Sequence, residues 1–144
     1  MHHAVATETL TLPATLNSLT RLGNALRRFL QPLQLAESWI YPLDLALCEA
    51  ASNIIRHGYQ DDAQQHYRVH FACDEQGVTV TLYDSGQPVP ETLLKSAQGG
   101  FDEIGLLDEG GRGWPLIYAS VDRVSYQRQP AENQLTLWRA LPGV

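Results

Sequence analysis

The stretch HYRVHFACDEQGVTVTLYDSG, residues 66–86, constrains the fold more than any other part of the chain. Val69, Phe71 and Cys73 alternate with polar or small residues, and Val78, Val80 and Leu82 do the same after the break at DEQG. Successive side chains of a strand point to opposite faces, so this period of two puts every apolar residue on one side. Two such runs around a short polar break read as an antiparallel hairpin with one buried face. A sheet of that kind needs a second layer to cover it, and 144 residues is about the length of one domain.

The covering layer is legible on both sides of the hairpin. ETLTLPA alternates threonine with leucine and meets Pro13, as a short first strand leading into a helix does. Leu16, Leu19, Leu22, Leu26, Phe29 and Leu30 then recur at helical spacing, with Arg21, Arg27 and Arg28 on the other side. Pro42 is expected to open a second helix that buries Leu43, Leu47, Ala50 and Ile54, and Gly58 to end it as its C′ residue. From Gln87 to Arg112 the chain is rich in glycine and acidic residues and reads as a long loop with one helical turn around ETLLKSA. A short helix near WPLIYASV, a strand at DRVSYQR, a turn at QPAEN and a last strand at QLTLWRAL complete the pattern. No repeat or linker interrupts it. The expectation is an α/β two-layer sandwich over residues 1–144, a mixed, mostly antiparallel sheet covered by helices on one face.

Composition removes several classes of function. A hydrophobic content of 44% with 18% charged residues is that of a globular protein. The net charge of −6 argues against direct nucleic-acid binding, which needs a basic surface to neutralise phosphates. Apolar runs fall short of the roughly 18 residues of a membrane span. MHHAVATETL has no basic segment followed by an apolar one, so no export is expected and a cytoplasmic location is. Cys48 and Cys73 lack CxxC spacing and read as small buried hydrophobes rather than a zinc or disulfide site.

Within the second helix, CEAASNIIRHG carries a polar stripe. Residues four apart lie one above the other, so Glu49, Asn53 and His57 share a helix face. Burying a carboxylate and an amide without partners costs several kcal/mol, so either this face is solvated or it lines a cavity that receives a polar ligand. His57, beside Gly58, has a further reading as a group favoured by the negative end of the helix. Two glycine motifs bear on the choice. YDSGQPVP leaves a strand with Asp84 and then Gly86, where a missing side chain allows a flat ligand close to the backbone. EGGRGWPLI places Gly111 and Gly113 immediately before a short helix, with Arg112 between them, an arrangement suited to phosphate oxygens.

Taken in order, the Glu-x-x-x-Asn helix, the Asp-x-Gly loop and the later Gly-x-Gly loop resemble the GHKL ATPases, whose Bergerat fold is the histidine-kinase-like ATPase fold. More narrowly, LALCEAASNIIRHGY, LYDSGQPVP and GGRGWPLIYASVDRVSY are similar to the successive motifs of the serine-protein-kinase anti-sigma factors. The resemblance runs through nearly the whole chain. It implies ATP and Mg²⁺ as cofactors, with Asn53 holding the metal and Glu49 acting as catalytic general base. It also implies that Asp84 accepts a hydrogen bond from the adenine amino group while Gly86 makes room for the ring. His57, Gly111, Arg112 and Gly113 complete the implied cofactor-binding set. The implied function is a serine/threonine-protein kinase that phosphorylates a small anti-sigma antagonist protein and binds a sigma factor, with a homodimer as a possible assembly. The alternative is an interaction module of the same fold that transfers no phosphate. A sensor histidine kinase would need a phosphoacceptor helix pair that these residues do not supply.

The chain departs from the family pattern at Trp114 and Pro115. Trp114 is expected in the core, with packing on the nucleotide as the other reading, and Pro115 in the first turn of its helix. Glu91, Asp102, Glu103, Asp108 and Glu109 make the segment between the glycine motifs acidic. The pairs Gly99-Gly100 and Gly110-Gly111 are expected to act as its hinges, making it a lid.

Overall fold

The computed structural model describes residues 6–98 and 109–143, with the backbone alone at 96–98 and 109–112. The elements are β1 (Ala6–Pro13), α1 (Ser18–Leu30), a 3-10 turn (Gln31–Leu33), α2 (Glu37–Asn53), a π-helical turn (Ile54–Gly58), β2 (His66–Cys73), β3 (Gly77–Asp84), α3 (Glu91–Gln98), α4 (Glu109–Ser120), β4 (Arg123–Arg128) and β5 (Asn133–Ala140). The alternating stretch forms the hairpin its period implies, with Val69 opposite Leu82, Phe71 opposite Val80 and Cys73 opposite Val78. The five strands lie in the order β1-β2-β3-β5-β4. Every neighbouring pair is antiparallel, rather than the mixed sheet expected from the sequence. The short turn between β4 and β5 makes them a hairpin, and β5 then returns along β3.

One face of this sheet builds the core. Leu12, Tyr67, Val69, Phe71, Val80, Leu82 and Leu137 are buried together with Leu22, Leu26 and Leu30 of α1 and Leu43 and Leu47 of α2. Each such side chain contributes roughly 1.5–3 kcal/mol by leaving water. Two polar ties set how α1 and α2 lie. Arg27 of α1 pairs with Glu37 and donates Nη1–H to Asp44 Oδ2 at 2.6 Å. Trp39 Nε1 donates to the Ala140 carbonyl at 2.9 Å, which fixes the start of α2 to the end of β5.

The structure departs from the sequence reading in three places. First, α2 begins at Glu37, with Ala36 extended before it, so Pro42 lies in the second turn and does not open the helix. Trp39 and Ile40 are buried on the same side as Leu43, and that burial outweighs the lost proline donor. Second, α2 ends in a π turn closed by Tyr59 N–H to the Ile54 carbonyl at 2.8 Å, and the left-handed residues are Gln60 and Asp61, not Gly58. Third, ETLLKSA forms an eight-residue helix, α3, and α4 starts at Glu109. Gly110, Gly111, Arg112 and Gly113 therefore lie in α4, with Pro115 inside it, where loop, hinge and first-turn positions were expected. Asp102, Glu103, Asp108 and the Gly99-Gly100 pair lie outside the described residues.

Candidate functional site

A cavity of about 460 Å³ opens beside the end of α2. Its wall on that side is Ala50, Asn53, Ile54 and His57; Asp84 and the β3–α3 loop face them, and Trp114, Tyr126 and Leu135 come from α4, β4 and β5. A mostly apolar concavity with a few convergent polar groups is the usual form of a small-molecule site. Asn53, His57 and Asp84, from two separate motifs, therefore meet in one space. His57 is exposed at its rim. Trp114 is buried in the core as expected and also walls the cavity.

The most telling atom is Asn53 Nδ2. It is buried and has no hydrogen-bond partner among the described residues. A lone buried amide donor costs about 1–3 kcal/mol, which marks a place where a partner is called for; the other such atom among the described residues, Arg139 Nε, lies away from this cavity. The π turn begins one residue later, and single π turns inside helices recur at functional sites.

Glu49 is half-buried one turn before Asn53 but is not among the cavity's lining residues. It faces α4 instead. A Cβ placed on Gly113 would come within 2.8 Å of Glu49 Oε2 and 3.3 Å of Asn53 Nδ2. Glycine at 113 therefore lets α4 lie directly over the two polar tips, so the three predicted residues are brought together. For Gly111 and Arg112 the structure gives helical backbone positions only.

Asp84 ends β3 and is 8% exposed. Its Oδ1 accepts from Gly86 N–H at 2.9 Å and from Asn133 Nδ2 at 3.0 Å. Burial pushes its carboxyl above the usual carboxylate range; the two donors oppose this and the charge of Glu132 adds to it. Gly86 does not line this cavity: a Cβ there would fall 2.4 Å from the Gly58 carbonyl oxygen. The close approach that Gly86 allows is by the backbone of Gly58, whose carbonyl also accepts Gln87 N–H at 2.8 Å. The Asp-x-Gly loop is thereby stitched to the end of the α2 helix.

Three supporting residues escaped the sequence reading. Asn133 Nδ2 also donates to the Gly86 carbonyl at 3.0 Å. Tyr59 Oη accepts from Ser85 N–H at 2.7 Å, and Tyr126 Oη from Val89 N–H at 2.9 Å. The signal for two of them was present, since the period that turns Leu135 and Leu137 inward also turns Asn133 inward, and Val124 does the same for Tyr126. Tyr59 carried no such signal, because it follows the π turn.

Comparison with known proteins bears on the family and the fold. Residues 12–139 match the family described as the histidine kinase-like ATPase domain. A Staphylococcus aureus serine-protein kinase RsbW is 28% identical over 90 residues, covering 60% of this chain and 57% of the relative. The corresponding protein of Oceanobacillus iheyensis is 28% identical over 93 residues, covering 62% of this chain and 59% of the relative. The chain thus spans less than two thirds of either relative. Among solved structures, the RsbU and RsbW domains of a Mycobacterium tuberculosis protein superpose with a TM-score of 0.66 at 20% identity, over 96% of this chain and 34% of that one. A chain of the SiaB–SiaC complex of Pseudomonas aeruginosa superposes with a TM-score of 0.61 at 19% identity, over 93% of this chain and 89% of that one. At these identities the structural likeness speaks for the fold alone, the same two-layer sandwich. With the family model covering most of its length, the chain belongs to the histidine kinase-like ATPase domain family, beside relatives that are serine-protein kinases.

Proposed function

We propose that this protein is an ATP-dependent serine/threonine-protein kinase that phosphorylates a small anti-sigma antagonist protein and, in its other bound state, sequesters a sigma factor. The observation that carries the reading is the buried Nδ2 of Asn53, unpartnered among the described residues, beside Glu49 in a helix wall that faces Asp84 across a cavity. Names of the relatives support it, since both are serine-protein kinases. The SiaB–SiaC neighbour, a protein in complex with a second protein, supports a protein partner.

The residues present fit ATP and Mg²⁺ once the Asn53 amide is turned over. As oriented, the orphan atom of Asn53 is a nitrogen, which cannot ligate a cation. A half-turn of the amide about χ2 brings Oδ1 to the same place, a hard neutral oxygen of the kind Mg²⁺ takes. Asp84 offers a carboxylate oxygen to an amino group in the cavity, and Trp114, Tyr126 and Leu135 exclude water from it. When bound, ATP supplies the phosphoryl group and Mg²⁺ offsets its charge. In this reading Glu49, next to Asn53 and outside the cavity lining, takes the proton of an incoming serine hydroxyl at Oε2.

Phosphate transfer from labelled ATP to candidate antagonist proteins tests this directly. Glu49→Gln is expected to keep nucleotide affinity within a few-fold and to lower transfer by roughly 10²–10⁴. Equal transfer by a folded Glu49→Gln protein would remove Glu49 from the role of base. No transfer by the parent with every candidate acceptor would leave a sequestering module of the same fold.

A further inference from the structure

Asp84 is held more tightly than an acceptor of one hydrogen bond requires. Its Oδ1 already takes two donors, Gly86 N–H and Asn133 Nδ2–H, which leaves Oδ2 for the cavity that Asp84 lines. Asn133 is 5% exposed and sits opposite Asp84 in the β3–β5 ladder. Its amide nitrogen also bonds the Gly86 carbonyl, so a single side chain fixes both the carboxylate and the turn after it. The rest of the loop is equally constrained: Ser85, Gln87 and Val89 give their N–H groups to Tyr59 Oη, the Gly58 carbonyl and Tyr126 Oη. The carboxylate therefore cannot turn its occupied edge to a ligand by a shift of the loop.

Resting on the nucleotide reading above, we propose that Asn133 is a positioning residue: by filling Oδ1 it keeps Asp84 an acceptor toward the cavity, and so makes the site select a purine bearing an amino group over its oxo counterpart. An ionised carboxylate only accepts, and an amino group donates to it. An oxo group sets acceptor against acceptor and leaves both unpaired, a situation that discriminates strongly. A protonated carboxyl has the opposite preference, because its O–H can donate to the oxo oxygen.

Which form Asp84 takes is a contest between burial and its donors. Burial favours the neutral form, and the donors from Asn133 and Gly86 favour the ionised one. The other groups around it are Glu132 in the β4–β5 turn, which disfavours a second negative charge; Tyr59 and Tyr126, whose phenols burial keeps neutral; and His57 at the cavity rim. Glu132 is itself paired with Arg68 at 3.3 Å. Of the two donors on Oδ1, only that of Asn133 is a side chain and can be removed by substitution.

The test uses Asn133→Leu, which has similar volume and no donor, and Asn133→Ala, each checked for fold by circular dichroism. Binding of Mg-ADP and Mg-IDP is measured by calorimetry from pH 6 to 8, and the Asp84 carboxyl is titrated by carbon-detected NMR without nucleotide. The parent is expected to favour ADP over IDP by roughly tenfold or more throughout. In both variants that ratio is expected to shrink about tenfold, more at pH 6 than at pH 8, and the Asp84 midpoint to rise. His57 is common to all the proteins and cancels in the comparison. Asn133→Ser, which keeps a hydroxyl donor, should restore part of the lost selectivity, an outcome a merely structural role does not require. An unchanged Asp84 midpoint or an unchanged ADP/IDP ratio in the folded variants would overturn the role given to Asn133. A parent that binds neither nucleotide would overturn the nucleotide reading and the selectivity with it, while the Asp84 titration would still decide whether Asn133 governs that carboxyl.

Discussion

Gly113→Ala separates stability from catalysis more cleanly than any change to a polar residue. Gly113 lies in α4 with no positive φ, so alanine fits the backbone, and the helix gains about 1 kcal/mol from the better helix former. Against that gain stands the new methyl group, 2.8 Å from Glu49 Oε2 and 3.3 Å from Asn53 Nδ2. Both are tips of flexible side chains on α2, not backbone. The Glu49 carboxylate has to retreat by about 0.6 Å to reach ordinary contact, and Asn53 by a few tenths of an ångström. Such shifts cost little in stability, so the melting temperature is expected to stay within about 4 °C of the parent, with the helix-propensity gain favouring an increase. A displacement approaching 1 Å at a reacting group, however, costs up to about 10² in rate. The expected result is a well-folded protein whose phosphate transfer falls roughly 10–100-fold while nucleotide affinity falls only a few-fold. Melting curves, calorimetry and transfer of labelled phosphate read the three quantities. A loss of more than about 10 °C would mean that the glycine is needed for backbone packing. Unchanged transfer would mean that the position of Glu49 against α4 has no part in the reaction.

Two further changes follow from the titrating groups. Asp84 has a folded-state carboxyl raised by burial, so the native state binds more protons than the unfolded chain between the unfolded value of about 4 and that raised value. Stability is therefore lost as pH rises through this window; Asp84→Asn should flatten that part of the melting profile and abolish the preference for an amino purine. A profile as steep as the parent's would contradict it. Cys48 has its thiol pushed up to about 12, first by burial, then by the charge of Asp44 and the hydrogen bond to it. Alkylation at pH 8 should then run about 10³-fold slower than for an unperturbed cysteine, and labelling at the ordinary rate in the folded protein, followed by mass spectrometry, would refute this.

How much of this was legible depended on whether a signal was local. The β2–β3 hairpin and its register follow from the alternation of Val69, Phe71, Val80 and Leu82 alone, because a slip by one residue would turn all of them to solvent. The helix stripe from Glu49 to His57 was equally visible. Helix ends were not, because they are decided by distant contacts. Trp39 is tied to the Ala140 carbonyl, 101 positions away in the chain, and that bond extends α2 back past Pro42. Gly58 resembled a helix stop, yet it sits in a π turn, against the backbone of Gly86. The cavity-lining residues Asn53, His57 and Asp84 stood out by motif, whereas the group that holds Asp84, Asn133, comes from a strand whose pairing with β3 no local pattern announces.

Asn53, whose Nδ2 is buried and has no hydrogen-bond partner among the described residues, is proposed to hold a metal-bound nucleotide. Calorimetry of ADP binding to the parent and to Asn53→Ala, each with and without Mg²⁺, tests it most directly. The parent is expected to bind, and the substitution to weaken binding by roughly 10–100-fold with Mg²⁺ present but by little without it, because the proposed contact runs through the metal. A folded Asn53→Ala protein that binds Mg-ADP as tightly as the parent would contradict the account.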